Sequence, residues 1–199
     1  MNRRQFLTTI GSGTGISLAG CISFANTPTN PSGDGSFQRR SVSIISRDEI
    51  PDDVSASLSV DAISDVAAPD KMVKFQFTLT NRYDNVRSFD VGSIPVPNLL
   101  IGKSDPPHYV LLQPSHWTAD DRRANCWESN APDKDPYRVV PEERQVDLEP
   151  SESHSGDAAL WGSVEDDVCW PTGKYRFRND VSLDGTIFTW GFRFEVAKQ

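Results

Sequence analysis

The sequence has few of the residues on which metal sites and catalytic sites depend. Its 199 residues include three histidines, three cysteines and two methionines. No histidine stands in an H-E-x-x-H or H-x-H pattern, so the ligand spacing typical of catalytic zinc is missing. Neither His nor Met follows Cys169, which excludes the ligand order of a blue-copper site. The sequence therefore predicts no metal and no cofactor.

Residues 21–199 also lack the motifs of common hydrolases and nucleotide-binding enzymes. They contain no G-x-S-x-G elbow and no glycine-rich phosphate loop. Ser115-His116 and Ser153-His154-Ser155 place hydroxyls beside imidazoles, but neighbouring residues of an extended chain point to opposite faces and do not form a catalytic pair. We predict no catalytic residue, and a hydrolase with an unrecognised site is the minor alternative.

Two acidic stretches offer oxygen atoms to calcium. They are Glu165-Asp166-Asp167 and Asp133-x-Asp135. Neither follows the order of a calcium-binding loop, which favours solvated acidic turns over a calcium site.

Basic residues are outnumbered by acidic ones. Residues 1–20 hold two of the 20 Lys and Arg residues and none of the 28 Asp and Glu residues, so residues 21–199 carry 18 basic against 28 acidic side chains. A nucleic-acid partner is not expected, because affinity for a phosphate backbone rests on a basic stripe. The excess of Asp over Glu and of Arg over Lys resembles proteins of salt-loving archaea, in which clustered carboxylates keep the surface hydrated.

The chain has no apolar run of the roughly 20 residues that a membrane-spanning helix needs. Its first residues instead follow the order of a secretory signal: a basic front, a weakly apolar middle and small residues at the end. Two adjacent arginines and an apolar pair resemble a twin-arginine signal, which directs folded proteins through a dedicated translocase, and the four residues that end at a cysteine resemble a lipobox. These residues are Arg3, Arg4, Phe6 and Leu7 in the export signal, and Leu18, Ala19, Gly20 and Cys21 in the lipobox.

The lipobox resemblance implies cleavage after Gly20 and a diacylglycerol-type lipid on Cys21. Buried acyl carbons contribute roughly 0.8 kcal/mol each, so two chains hold a protein stably at a membrane. Residues 1–20 are then the signal peptide, residues 21–40 a flexible tether, and residues 41–199 one domain. The predicted location is the cell surface, at the outer face of the cytoplasmic membrane. A cleaved, secreted form without lipid is the alternative.

Alternation of apolar and polar residues predicts strands with one buried and one wet face. The alternation is clearest in residues 54–62, 73–80 and 188–196. Shorter candidates are residues 41–45, 86–91, 109–112, 144–148, 157–161 and 174–178. One or two helical turns are expected only at residues 118–124. Nine short strands separated by Pro, Gly, Asn and Asp indicate an all-β fold, an antiparallel sandwich.

Two stretches resemble immunoglobulin-like sandwich domains of microbial surfaces. Leu148-Glu149-Pro150-Ser151-Glu152-Ser153 is similar to an L-x-P-G-E-S turn, with Ser151 where glycine is usual. Pro171-Thr172-Gly173-Lys174-Tyr175-Arg176-Phe177 is similar to the P-x-G-x-Y-x-F start of a late strand. The group includes the intracellular proteinase inhibitor fold and its fibronectin type III-like relatives. The resemblance implies an immunoglobulin-like β-sandwich and no particular activity.

Two cysteines are left if Cys21 carries the lipid. Cys126 and Cys169 then form one pair, and a disulfide is the default for such a pair outside the cell. The bond would pin the connection 113–139, which is too long for an unrestrained loop. The sequence thus predicts one disulfide-stapled loop, with two unpaired thiols as the alternative.

Three tryptophans lie in or beside predicted loops: Trp117, Trp127 and Trp170. A disulfide would gather them into an apolar patch amid acidic surface, as binding sites for proteins or sugars often look. Alternatively, Trp127 and Trp170 only cover the disulfide, as tryptophan does in other sandwich domains.

These features together predict a non-catalytic, membrane-anchored extracellular lipoprotein. It would be an accessory subunit or a binding module of the cell envelope. The predicted partners are the membrane through the lipid on Cys21, the twin-arginine translocase during export, and an envelope protein. A proteinase inhibitor-like domain is the alternative that the sandwich resemblance and the long pinned loop favour.

Overall fold

The described part of the chain begins at Phe37, within the last four residues of the predicted tether, and the first strand already includes Arg40. The computed structural model describes residues 37–91, 100–105, 108–114, 122–123, 126–127, 144–162, 170–183 and 185–199. These residues belong to a compact unit that begins at Asp34. The signal residues, the lipobox, Trp117, His116 and Cys169 lie outside the described residues. Within the described ranges, no helix is long and apolar enough to cross a membrane.

The described residues form strands and no helix. The strands are β1 (Arg40–Arg47), β2 (Ala56–Ser64), β3 (Val66–Ala67), β4 (Lys74–Asn81), β5 (Arg87–Val91), β6 (Leu100–Ser104), β7 (Tyr109–Pro114), β8 (Arg122–Arg123), β9 (Cys126–Trp127), β10 (Arg144–Leu148), β11 (Ser153–Gly162), β12 (Gly173–Leu183) and β13 (Thr186–Lys198). Every described pair of neighbouring strands is antiparallel. The prediction of an all-β, antiparallel fold is confirmed.

The three clearest alternating segments are strands with one buried face. In β4 the apolar residues Phe75, Phe77 and Leu79 are fully buried while the polar residues between them are partly exposed. The same alternation runs along β2 and β13. The shorter predicted strands all exist, although β11 and β12 extend well beyond their predicted ends.

The strands pair into one large sheet that nearly closes on itself. Its order is β2-β4-β11-β7-β6-β12-β13-β1-β3. Only Asp65 separates β2 from β3, so the first and last strands of this order are one stretch of chain. The amide of Val42 in β1 donates to the carbonyl of Asp65 at 2.7 Å. The described strands therefore make one rolled, nearly barrel-like sheet, and their pairing does not show the two facing sheets of an immunoglobulin-like sandwich.

A separate two-stranded ribbon is formed by β5 and β10. β7 pairs with β11 only from Ala158 to Gly162, and β6 pairs with β12 only at Tyr175 and Arg176. The ribbon approaches the remaining parts of both long strands, with β10 near β11 and β5 near β12. Its apolar side chains join the core; they are Phe89, Val91 and Leu148.

Aromatic rings fill the inside of the rolled sheet. The ring of Phe192 lies 5.4 Å from that of Phe75 and 5.2 Å from that of Phe177 between centroids. Phe194 stacks on Tyr175 at 5.4 Å. Such pairs add to the stability that burial of apolar area provides. Among the described residues, the interior of the sheet is therefore filled by packed side chains.

The predicted helical turns at residues 118–124 lie mostly outside the described residues. Arg122 and Arg123, which are described, form strand β8 and pair with Trp127 and Cys126 of β9. For these two residues the helical prediction is wrong, because cross-strand pairing replaces the local hydrogen bonds of a helical turn.

The turn between β10 and β11 explains why glycine is usual at the position of Ser151. Ser151 has a φ of 66°, a left-handed conformation that costs a residue with a Cβ about 1–2 kcal/mol. The turn is held by Asn81, whose side-chain amide donates to the carbonyls of Leu148 and Glu149 at 2.9 and 3.2 Å. The amide of Ser151 donates in return to the carbonyl of Asn81 at 3.0 Å.

Replacing Ser151 with glycine should therefore stabilise the protein. We expect the free energy of unfolding to rise by about 0.5–1 kcal/mol, because glycine removes the strain but gains entropy in the unfolded chain. Chemical denaturation followed by tryptophan fluorescence measures the change. Ser59→Gly in the extended strand β2 is the control and should lower stability by a similar amount; a loss of stability in both variants would contradict the strain at Ser151.

Candidate functional site

The predicted cysteine and tryptophan residues that are described meet at one corner of the rolled sheet. We call this the tryptophan corner and define it as Phe37, Arg40, Cys126, Trp127 and Trp170. Two chain segments that are far apart in sequence, β9 and the residues before β12, are joined there to the start of β1. The corner is therefore the place where the tether would enter the folded domain.

Trp127 fastens β9 to the turn that follows β3. Its indole Nε1–H donates to the carbonyl of Ala68 at 2.9 Å and lies 3.3 Å from that of Lys71. The ring of Phe37 meets the ring of Trp127 edge-on, with 6.4 Å between centroids and 69° between planes. The side chain of Trp127 is partly buried.

Trp170 is a core residue. It is 1% exposed, and its indole Nε1–H donates to the carbonyl of Trp127 at 3.1 Å. A buried indole needs such a partner, because an unpaired donor away from water costs about 1–3 kcal/mol. Cys126, next to Trp127, is likewise 1% exposed. The two tryptophans thus join the backbone around Cys126 to the backbone that follows Cys169.

Arg40 is a buried cation held by neutral oxygen atoms. Its Nε–H donates to the carbonyl of Trp170 at 3.0 Å, and its terminal nitrogens donate to the carbonyl of Arg39 at 2.9 Å and to Oε1 of Gln38 at 2.7 Å. Burial lowers the pKa of Arg40 below its usual value, while the nearby Tyr175 acts in the opposite direction. The phenol of Tyr175 donates to the carbonyl of Pro171 at 2.7 Å, which orders the same corner.

The polar contacts described at this corner hold chain segments together. They are indole, guanidinium and phenol donors on backbone carbonyls, together with the contact from Arg40 to Oε1 of Gln38. The predicted binding patch would need exposed apolar surface, but Trp170 lies in the core and only part of Trp127 is exposed. The contacts agree with the alternative in which Trp127 and Trp170 cover the backbone around Cys126.

The described histidines do not come together. β7 and β11 are antiparallel, with Val110 opposite Gly162 and Pro114 opposite Ala158. His108 precedes β7 and His154 lies near the start of β11, so the two imidazoles lie toward opposite ends of this strand pair. In the part of the chain that the structure describes, no group of three His, Cys, Asp or Glu side chains could hold a metal ion.

Comparisons with known proteins give no identity. Neither a protein-family model, nor a curated protein, nor a solved structure matches this chain. The function must therefore be argued from the residues and the geometry of the chain itself.

Proposed function

We propose that this protein is a non-catalytic surface lipoprotein, exported through the twin-arginine translocase and held at the membrane by a lipid on Cys21. Its rolled sheet would serve as a binding module or an accessory subunit of the cell envelope. The observation that carries the proposal is the way in which the chain enters the domain at the tryptophan corner.

A tethered domain has to resist force applied at its attachment point, and the start of β1 is held to the domain by several contacts. Phe37 packs on Trp127 and Arg40 binds the carbonyl of Trp170. β1 then pairs with β13 along its length and with β3 at its first residues. A pull on the preceding chain would have to break several hydrogen bonds together, because β1 has a neighbour on each side.

The filled interior supports a role for the outer surface. Aromatic side chains occupy the space inside the sheet, and among the described residues no group of three His, Cys, Asp or Glu side chains could hold a metal ion. Such a domain can present residues to a partner on its outer strands. The partner that we propose is an envelope protein. Cross-linking on intact cells would show this partner as one protein enriched together with the anchored chain.

We also propose that Cys126 and Cys169 form the predicted disulfide. Two observations support the pairing. The side chain of Cys126 is buried, and the hydrogen bond from Trp170 to Trp127 brings the residues next to the two cysteines together. The bond would fix the tryptophan corner covalently.

Replacing Cys21 with serine tests the anchor. Serine cannot accept the thioether-linked lipid, so nearly all of the protein should move from the membrane fraction to the medium while its melting temperature stays unchanged. Fractionation of cells followed by immunoblotting measures the shift. Cys126→Ser is the matched control and should stay with the membrane; a Cys21→Ser variant that remained membrane-bound would contradict the lipid anchor.

A further inference from the structure

Outward side chains of five neighbouring strands form a line across the sheet. The ladder places Tyr109 of β7 opposite Lys103 of β6, Lys103 opposite Arg176 of β12, Arg176 opposite Arg193 of β13, and Arg193 opposite Ser46 of β1. We call these five residues the cationic row. Strands lie about 4.8 Å apart, so the row is roughly 19 Å long. It brings together cations that are far apart in sequence.

The side chains of the row face away from the core. Tyr175, next to Arg176 in β12, is 1% exposed. Phe192 and Phe194, which flank Arg193 in β13, are fully buried. A Cβ on Gly102 would point inward, 2.9 Å from the ring of Phe177. Successive residues of a strand alternate between faces, so the cationic side chains point to the outer surface.

The arrangement is electrostatically unfavourable for the isolated protein. Like charges directly opposite each other on neighbouring strands are destabilising, and three cations follow one another here. Arg176 has a carboxylate partner in Asp48. Among the described residues, the side chain of Arg193 has no hydrogen bond or ion pair. The Nζ of Lys103 lies 5.9 Å from the centroid of the Tyr109 ring, which is the one contact described for that side chain.

The surroundings add positive charge on one side of the row. Arg178, two residues along β12, is exposed and lies opposite Gly191, which has no side chain. On the other side, Lys174 lies opposite Glu195, a complementary pair. The uncompensated charge is thus concentrated at Lys103, Arg193 and Arg178, in a chain whose formal net charge is −8.

We propose that the cationic row binds an acidic polysaccharide that carries a carboxylate or sulfate on its sugar units. Lys103 and Arg193 lie two strand spacings apart, about 10 Å, on either side of the Arg176–Asp48 pair, so acidic groups on alternate sugar units can meet these two cations. Arg and Lys form short charge-assisted hydrogen bonds with carboxylate and sulfate oxygens.

The two ends of the row fit a sugar better than other polyanions. Tyr109 is 37% exposed beside Lys103, and the exposed part of its ring can contact a pyranose. Ser46 offers a hydroxyl at the opposite end. The inference deepens the proposed function, on which it rests, because an envelope polysaccharide is within reach only of a protein on the cell surface.

The test measures binding of a tetramer of galacturonic acid to the full mature chain in detergent, by calorimetry at low ionic strength. The methyl ester of the same tetramer is the uncharged control. We expect the acid to bind and the ester to bind at least about tenfold more weakly. Added salt should weaken binding of the acid, since it screens exposed charges.

Matched double variants locate the site. Lys103→Gln with Arg193→Gln should weaken binding of the tetramer at least about tenfold, whereas Lys71→Gln with Arg82→Gln, which removes the same charge elsewhere, should change it less than twofold. The first pair should leave the melting temperature unchanged or raise it, because it removes like-charge repulsion.

Three outcomes would overturn the proposal. They are absence of binding to the unaltered chain at low salt, equal binding of acid and ester, and equal losses in the two double variants. Binding of the Cys21→Ser chain to phosphatidylglycerol vesicles through the row, without binding of the tetramer, would assign the row to lipid headgroups instead. Release of the Cys21→Ser chain does not depend on the row, so failure of this inference and failure of the anchor are distinguishable.

Discussion

Cys126→Ser should lower the free energy of unfolding by about 4 kcal/mol under oxidising conditions. A disulfide to Cys169 closes a loop of roughly 40 residues, and the lost loop-closure entropy of the unfolded chain accounts for this amount on the chain-entropy model. The side chain of Cys126 is 1% exposed, so a serine hydroxyl at this position would also lose its hydration without gaining a hydrogen-bond partner. Denaturant unfolding of the variant and of the unaltered chain measures the difference.

The control for this prediction is the second cysteine. Cys169→Ser should cost the same as Cys126→Ser, and the double variant should cost no more than either single one, because one bond is lost in all three. Reduction of the unaltered protein should bring it to the same stability. Additive losses, or a Cys126→Ser chain as stable as the original, would mean that these cysteines are not bonded to each other.

Gly191→Ala should cost at least about 3 kcal/mol and can prevent folding, since overpacking at an unyielding site exceeds the usual penalty. A Cβ at Gly191 would lie 2.0 Å from the carbonyl oxygen of Phe177 and 2.9 Å from the Cα of Arg178. Both are backbone atoms of β12, so β12 and β13 would have to separate. The carbonyl of Gly191 also accepts the amide of Asp48 at 2.9 Å. The yield of soluble protein and the melting temperature report the effect.

Gly185→Ala separates this steric clash from a general effect of glycine. Gly185 has a φ of 80° and open space around its Cα, so alanine there should cost only about 1 kcal/mol of backbone strain. A Gly191→Ala chain no less stable than Gly185→Ala would contradict the close approach of β12 and β13.

The sequence predicts the strands well because their signal is local. Each inward apolar residue of β4 or β13 is separated from the next by one polar residue, and this period of two survives without any knowledge of the partner strand. The short apolar strand β6 was not predicted, since Leu100 and Ile101 are followed by Gly102 and give no alternation. Glycine fits at position 102 because the ring of Phe177 occupies the space that a side chain would need.

The closure of the sheet depends on pairing that the sequence does not encode locally. The sheet closes where β1 contacts β2 and the residue that follows it. The amide of Val42 donates to the carbonyl of Asp65, and the Nε–H of Arg47 donates to the carbonyl of Val60 at 2.7 Å. Nothing in either segment alone distinguishes a rolled sheet from two facing sheets. The sequence does show Ser151 where glycine is usual in a similar turn, and this residue has a φ of 66°.

The sites divide in the same way. That Trp127 and Trp170 cover a disulfide could be proposed from the adjacent cysteines as one of two alternatives, but the hydrogen bond from Trp170 to Trp127 could not be anticipated. The cationic row could not, because Lys103, Arg176 and Arg193 are separated in sequence and only the register of β6, β12 and β13 aligns them. A search for runs of basic residues finds nothing at these positions.

The chemical state of Cys21 distinguishes a lipid-anchored protein from any other form. Mass spectrometry of the N-terminal peptide from protein purified out of the membrane fraction reads both the cleavage site and the modification. We expect a chain that begins at Cys21 and carries the added mass of a diacylglycerol-type lipid. A chain that begins elsewhere, or one with Cys21 unmodified, would contradict the lipid-anchored protein proposed here.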